Sequence, residues 1–144
     1  TKASGFKIKR WLKMHKACAF FKLFLDHPCP HVCIENPIMH GYAFDIIGEN
    51  YTQIVQPYKY GDSAQKATCL WLKGLPKLTP TEIVEPEMVT MKNGGKMSKH
   101  HYETLNLPKA ERTKARSKTF PGIANAMADQ WVTHINSNLK TLNT

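Results

Sequence analysis

No apolar run in this 144-residue chain approaches the roughly 20 residues that a membrane-spanning helix requires, so no membrane partner is expected. The opening residues, Thr1-Lys2-Ala3-Ser4-Gly5, contain neither an initiator Met nor a signal-peptide pattern, and they read as a chain entered partway through or processed. Cysteine is scarce. The four thiols, Cys18, Cys29, Cys33 and Cys69, form no disulfide-like framework, which favours a reducing, cytoplasmic setting. There is no internal repeat and no heptad, which excludes solenoids and coiled coils. Acid is the scarcer charge, with 11 Asp and Glu against 20 Lys and Arg. The resulting net charge of +9 favours a polyanionic partner, nucleic acid first, over the plainer alternative of a solvated basic surface.

What is present suffices for a core: 42% of residues are hydrophobic, as in a globular domain. The expected layout is one domain over residues 1–144. Residues 8–26 read as a helix, with Trp11, Leu12, His15, Cys18, Ala19, Phe21 and Leu25 near a 3.6-residue period and five cations on the other face. The prolines of His27-Pro28-Cys29-Pro30 end it. His31-Val32-Cys33-Ile34 reads as a buried strand, Glu35-Asn36-Pro37 as the loop after it, and residues 38–47 as a helix stopped by Gly48. Two further strands are expected at 53–56 and 66–72, neighbours across a turn at 58–62. Periodicity then fails over 79–107, which predicts a long irregular loop. A basic stretch follows at 109–118. Pro121 opens a last helix that buries Ile123, Ala124, Met127 and Trp131 and leaves a frayed tail over 133–144.

Several constellations carry little chemistry. His27, Cys29, His31 and Cys33 alternate along an extended segment, a poor source of tetrahedral ligands, so no metal is expected. Ser98-Lys99-His100-His101 belongs to no nucleophile–base arrangement. Asn93-Gly94-Gly95-Lys96 lacks the preceding strand and following Lys-Ser/Thr of a phosphate loop. More promising is Glu35 with Asn36 at a strand's carboxyl end, where open α/β sheets place ligand chemistry. Lys109, Arg112, Lys114 and Arg116 could track a phosphate backbone, and Tyr58, Tyr60 and Trp71 could stack on bases.

Four blocks in order, Ile34-Glu35-Asn36-Pro37-Ile38-Met39-His40, Gln56-Pro57-Tyr58-Lys59-Tyr60-Gly61, the run from Lys66 to Pro76, and the run from Arg116 to Ala124, together resemble DNA cytosine methyltransferase-like proteins of phages and their hosts. The resemblance implies an α/β fold, the C-terminal part of a Rossmann-like methyltransferase sheet with an antiparallel edge pair. It implies S-adenosylmethionine as methyl donor and DNA as partner, in a bacterial or phage-infected cytoplasm. Glu35 would hold the target base at N3 and its exocyclic amine, Asn36 would order the loop, and Lys66, Arg112 and Arg116 would engage phosphate. The family's cofactor loop and Pro-Pro-Cys nucleophile loop have no counterpart in these residues, so the chain alone is not expected to methylate DNA. Two alternatives remain open. One is a non-catalytic nucleic-acid-binding or inhibitory module. The other is a small enzyme acting on a nucleotide or on S-adenosylmethionine, its site completed across a homo-oligomer interface; the methyltransferase reading instead implies a missing N-terminal segment.

Overall fold

A computed structural model describes the backbone of residues 2–142 and the side chains of residues 8–140. The chain is mixed α/β, 48% helix and 17% strand. Its elements are α1 (Lys2–Leu25), β1 (Val32–Pro37), α2 (Gly41–Ile47), β2 (Gln53–Val55), β3 (Thr68–Lys73), β4 (Met88–Thr90), β5 (Lys96–Ser98), α3 (Lys99–Leu105), α4 (Lys109–Ser117) and α5 (Pro121–Leu142). Two compact units are distinguished, Thr1–Gln53 with Cys69–Leu75, and Ile54–Thr68 with Pro76–Thr144. Among the described residues no helix is long and apolar enough to cross a membrane.

The first unit packs α1 and α2 against β3, in a sheet ordered β1-β3-β2 whose last strand opens at Gln53. β2 and β3 are neighbours, as the sequence predicts. α1 is built from straight-chain and aromatic residues with good or neutral helix propensity, and Lys22 in its last turn suits the negative end of the helix dipole. Its core contacts are Cys18 and Phe21, joined by Ala43 and Ile47 of α2 and Cys69 and Trp71 of β3. Trp71 is the centre of this core. Phe21 meets it edge-on at 4.9 Å, and its indole N–H donates to Glu49 O at 3.3 Å. Trp71 therefore packs the core and is no base-stacking surface. Trp11, Leu12 and Ala19, expected on the buried face of α1, are exposed instead. The core direction is set by Met14, Cys18, Phe21 and Leu25, spaced by three and four residues. α2 ends at Gly48, whose φ of 74° is the left-handed conformation that glycine adopts without strain, with its N–H on Phe44 O at 2.8 Å.

One correction bears directly on the candidate site. Glu35-Asn36-Pro37 is not a loop after the strand, because β1 continues through Pro37. Proline is tolerated there because it is the last strand residue and β1 lies at the edge of its sheet.

The second unit organises the region read as irregular. Residues 79–107 hold a β4–β5 hairpin, in register Val89 to Met97, and then α3. Asn93-Gly94-Gly95 makes the turn: Gly94 has φ 81°, and Met91 and Gly95 close it with a 2.7 Å bond. α5 carries the region read as a frayed tail, running through 133–142, while residues 143–144 of that tail lie outside the described residues. Ile123 and Ala126 are its fully buried residues, Met127 and Trp131 are half-buried, and Ala124 is exposed rather than buried. Trp131 donates to Pro76 O at 2.9 Å, and Gln130 forms three hydrogen bonds with Thr79, which tie the 76–79 segment to the helix. At the other end, Gly122 N–H donates to Asp62 Oδ2 at 2.8 Å.

Candidate nucleic-acid interface

The second unit draws cations from separate segments into one place. Lys66 precedes β3, and its backbone N–H is held by Gln56 Oε1 at 2.9 Å. Its ammonium donates to Lys118 O at 3.1 Å and stands 5.8 Å from the centre of the Phe120 ring. His100, on α3, meets the same ring edge-on at 5.3 Å. Arg116, on α4, donates through Nε to Thr104 Oγ1 at 2.9 Å, and its Nη2 lies 3.4 Å from His101 Nδ1. Thr104 in turn donates to the carbonyls of His100 and His101. Arg112 closes the far end of the α3–α4 pair with a 3.2 Å bond from Nη1 to Leu105 O.

The electrostatic result is read at His100. Its imidazole pKa is lowered, first by burial and then by Lys66 and Arg116, with Glu103 opposing. Nε2 of His100 is buried and has no protein partner. The ring lines a cleft of about 250 Å³ together with Asp62, Ser63, Glu87, Lys99 and Phe120. Glu87 there pairs with Lys99 and accepts from Ser63 at 3.1 Å, which holds its carboxyl below the usual range.

The eight residues singled out in the sequence divide between the two units. Lys66, Tyr58, Lys109, Arg112, Lys114 and Arg116 belong to the second unit, and Glu35 and Asn36 to the first. Arg112 and Arg116 face α3 and each spends donors on it, yet a guanidinium has five, so capacity for phosphate remains. Lys109 and Lys114 are exposed but stand about 140° apart around α4, so that helix does not present all its cations to one strand. Tyr58 is half-buried in a short 3-10 turn, its backbone bonded to Ala64 and Val84. Tyr60 is buried and donates to Leu78 O, so its ring is not offered to a base. Sequence reasoning missed His100 and Thr104 as members of the cluster. The adjacent pair His100-His101, a few residues upstream of the basic stretch, was the available signal.

In the first unit, Glu35 is exposed on β1, and Asn36 donates to Pro37 O at 2.7 Å. Cys33 is two residues before Glu35. Burial, and then the Glu35 carboxylate, push its thiol up to about 11. Cys18 and Cys69 are buried, and Cys29 Sγ donates to His31 O at 3.2 Å. His31 Nδ1 lies 2.7 Å from Gly74 O, a contact that needs the Nδ1–H tautomer. Among the described residues no group of three or more His, Cys, Asp or Glu side chains is placed to hold a metal ion.

No family model, curated protein or solved structure matches this chain.

Proposed function

We propose that this chain binds duplex DNA through phosphate contacts on its second unit, with Lys66 and Arg116 at the centre and Lys109 about two turns away along the Arg116 face of α4. The observation that carries this reading is the gathering of two cations from separate segments: Lys66 stands 5.8 Å from the Phe120 ring that His100 meets edge-on, and Arg116 bonds Thr104 on the same helix as His100. Phosphate contacts of this type position a protein without reading sequence. Anisotropy of a labelled duplex tests it. Lys66→Gln and Arg116→Gln each weaken binding several-fold, by similar factors on unrelated sequences. Affinities within twofold of the parent, or a parent that does not bind, overturn it.

The wider reading is a methyltransferase-like domain, Rossmann-like in its finer fold, that serves DNA cytosine methylation from S-adenosylmethionine. What supports it is the place of Glu35, on the exposed side near the carboxyl end of β1, where open α/β sheets put ligand chemistry. Attack at cytosine C6 requires a thiolate, and a thiol held near 11 is almost wholly protonated at neutral pH. Cys33, the thiol nearest Glu35 in the sequence, is thus no ready nucleophile, and the family's cofactor and nucleophile loops have no counterpart in these residues, so the expected outcome is no transfer of label from donor to duplex DNA by the chain alone. Incorporation of label by the isolated chain contradicts this.

A further inference from the structure

The first unit contains an aromatic cleft that duplex binding does not use. Two adjoining hollows, of about 330 and 320 Å³, share Trp11 of α1 and Tyr42 of α2 as walls. Arg10 and His40 line the first, and His15 and Asp45 the second. The aromatic groups are held in pairs. Trp11 stands 3.8 Å from the His15 ring, and His40 stacks on Tyr42 at 5.2 Å and 17°. His40 Nδ1 also accepts from Tyr42 N–H at 3.4 Å, fixing the ring pair to the start of α2. Despite these restraints, Trp11 is 54% exposed and Tyr42 67% exposed. Large rings held by neighbours yet open to solvent are suited to stacking with a planar ligand.

Charge narrows the ligand class. α1 contains no acid over its whole length, and Lys9, Arg10 and Lys13 surround Trp11 in the sequence. A cationic ligand is disfavoured there, and an anion carrying a flat ring is favoured. The two hollows sit side by side about the same two rings, which suits successive rings of a chain rather than one small molecule. Asp45, in the second hollow, can accept from an exocyclic amine such as adenine N6.

We infer that Trp11 and Tyr42 form a stacking platform for two successive bases of single-stranded nucleic acid, with Arg10 on the intervening phosphate. The platform belongs to the first unit and to an unpaired strand, so it stands whether or not the second unit binds duplex.

The test uses the full chain and a labelled single-stranded deoxyadenosine decamer in low salt, read by anisotropy. Trp11→Ala and Tyr42→Ala each weaken binding by at least about fivefold, the lower end of base–aromatic stacking. Trp11→Phe keeps most of the affinity, and Leu12→Ala, exposed on the same helix, leaves it unchanged. Val132→Ala, exposed in the other unit and remote from its cations in the sequence, leaves it unchanged as well. Unfolding midpoints in urea show that the Ala variants remain folded. If both Ala variants bind within twofold of the parent, or the parent does not bind the decamer, the platform is refuted. If deoxyadenosine monophosphate competes with the decamer as strongly, mole for mole, as an unlabelled deoxyadenosine dinucleotide does, the strand reading is refuted too.

Discussion

Replacing Gly122 with Ala would put a methyl carbon 1.8 Å from Tyr60 O and 2.8 Å from Asp62 Oδ2. Real Cβ atoms essentially never come within 3.0 Å of such neighbours, so the start of α5 must move away from Tyr60 by at least 1.2 Å, the difference between 3.0 and 1.8. The obstacle is backbone, which cannot rotate aside as a side chain can. That movement breaks the 2.8 Å bond from Gly122 N–H to the Asp62 carboxylate. A hydrogen bond to a charged group contributes about 2 kcal/mol. Forcing a methyl group into a packed contact costs about 2 kcal/mol more. The intrinsic helix preference for Ala returns about 1 kcal/mol. The net loss is about 3 kcal/mol, carried by the second unit, and its melting temperature should fall by roughly 10 °C. Gly41→Ala is the matched control. It makes the same chemical change at the start of α2, where nothing lies within 4 Å of the added carbon. It should leave the protein unchanged or stabilise it by about 0.5 kcal/mol. Differential scanning calorimetry of the three proteins decides the matter. Equal melting temperatures for Gly122→Ala and the parent refute the packing described at the α5 start.

The lowered pKa of His100 has a sign that can be checked. The folded state holds the ring neutral while the unfolded chain takes up a proton near the ordinary value of about 6.5, so its contribution is complete above that pH and is lost as pH falls through the folded pKa. His100→Asn should therefore flatten the acid side of the urea midpoint against pH, and an unchanged profile contradicts the burial assigned to this ring. Cys33, its thiol pushed up to about 11 by burial and then by the Glu35 carboxylate, has a thiolate fraction at neutral pH on the order of 100-fold below that of an ordinary thiol. Mass spectrometry after brief iodoacetamide treatment should find it alkylated far more slowly than the same cysteine in urea, and equal rates contradict this. Trp71→Ala, at the centre of the first unit's core, should lower stability by about 3–5 kcal/mol in urea unfolding, and a loss below about 1 kcal/mol contradicts its central place.

Much of the first unit was legible because its signals are local. The prolines after α1, the Gly48 cap and the strand around Trp71 each rest on a residue whose backbone or packing preference acts by itself. The buried face of α1 was harder to assign. Apolar residues occur around most of that helix, so periodicity alone could not separate the core-facing Phe21 from the exposed Phe20 and Leu23. Glu35-Asn36-Pro37 read as a loop because proline and asparagine are poor strand residues, yet at the end of an edge strand neither needs to be paired on both sides. The β4–β5 hairpin does carry a signal in Asn93-Gly94, a favoured turn pair, but the three-residue strands either side of it are too short to show the alternation that would mark a hairpin. Of the candidate site, the cations could be named from composition and spacing. Their convergence on His100 depends on α3 packing beside α4, a contact made by Thr104, Arg112 and Arg116 that no spacing rule anticipates.

The salt dependence of duplex binding tests the central claim most directly. Each phosphate neutralised contributes about −0.9 to the slope of log affinity against log salt. Lys66, Lys109 and Arg116 together predict a slope of about −2.7. The Lys66→Gln, Arg116→Gln double variant should bring it to about −0.9, while Lys114→Gln, on the opposite side of α4, should leave it unchanged. A slope near zero for the parent, or one that the double variant does not alter, contradicts the account.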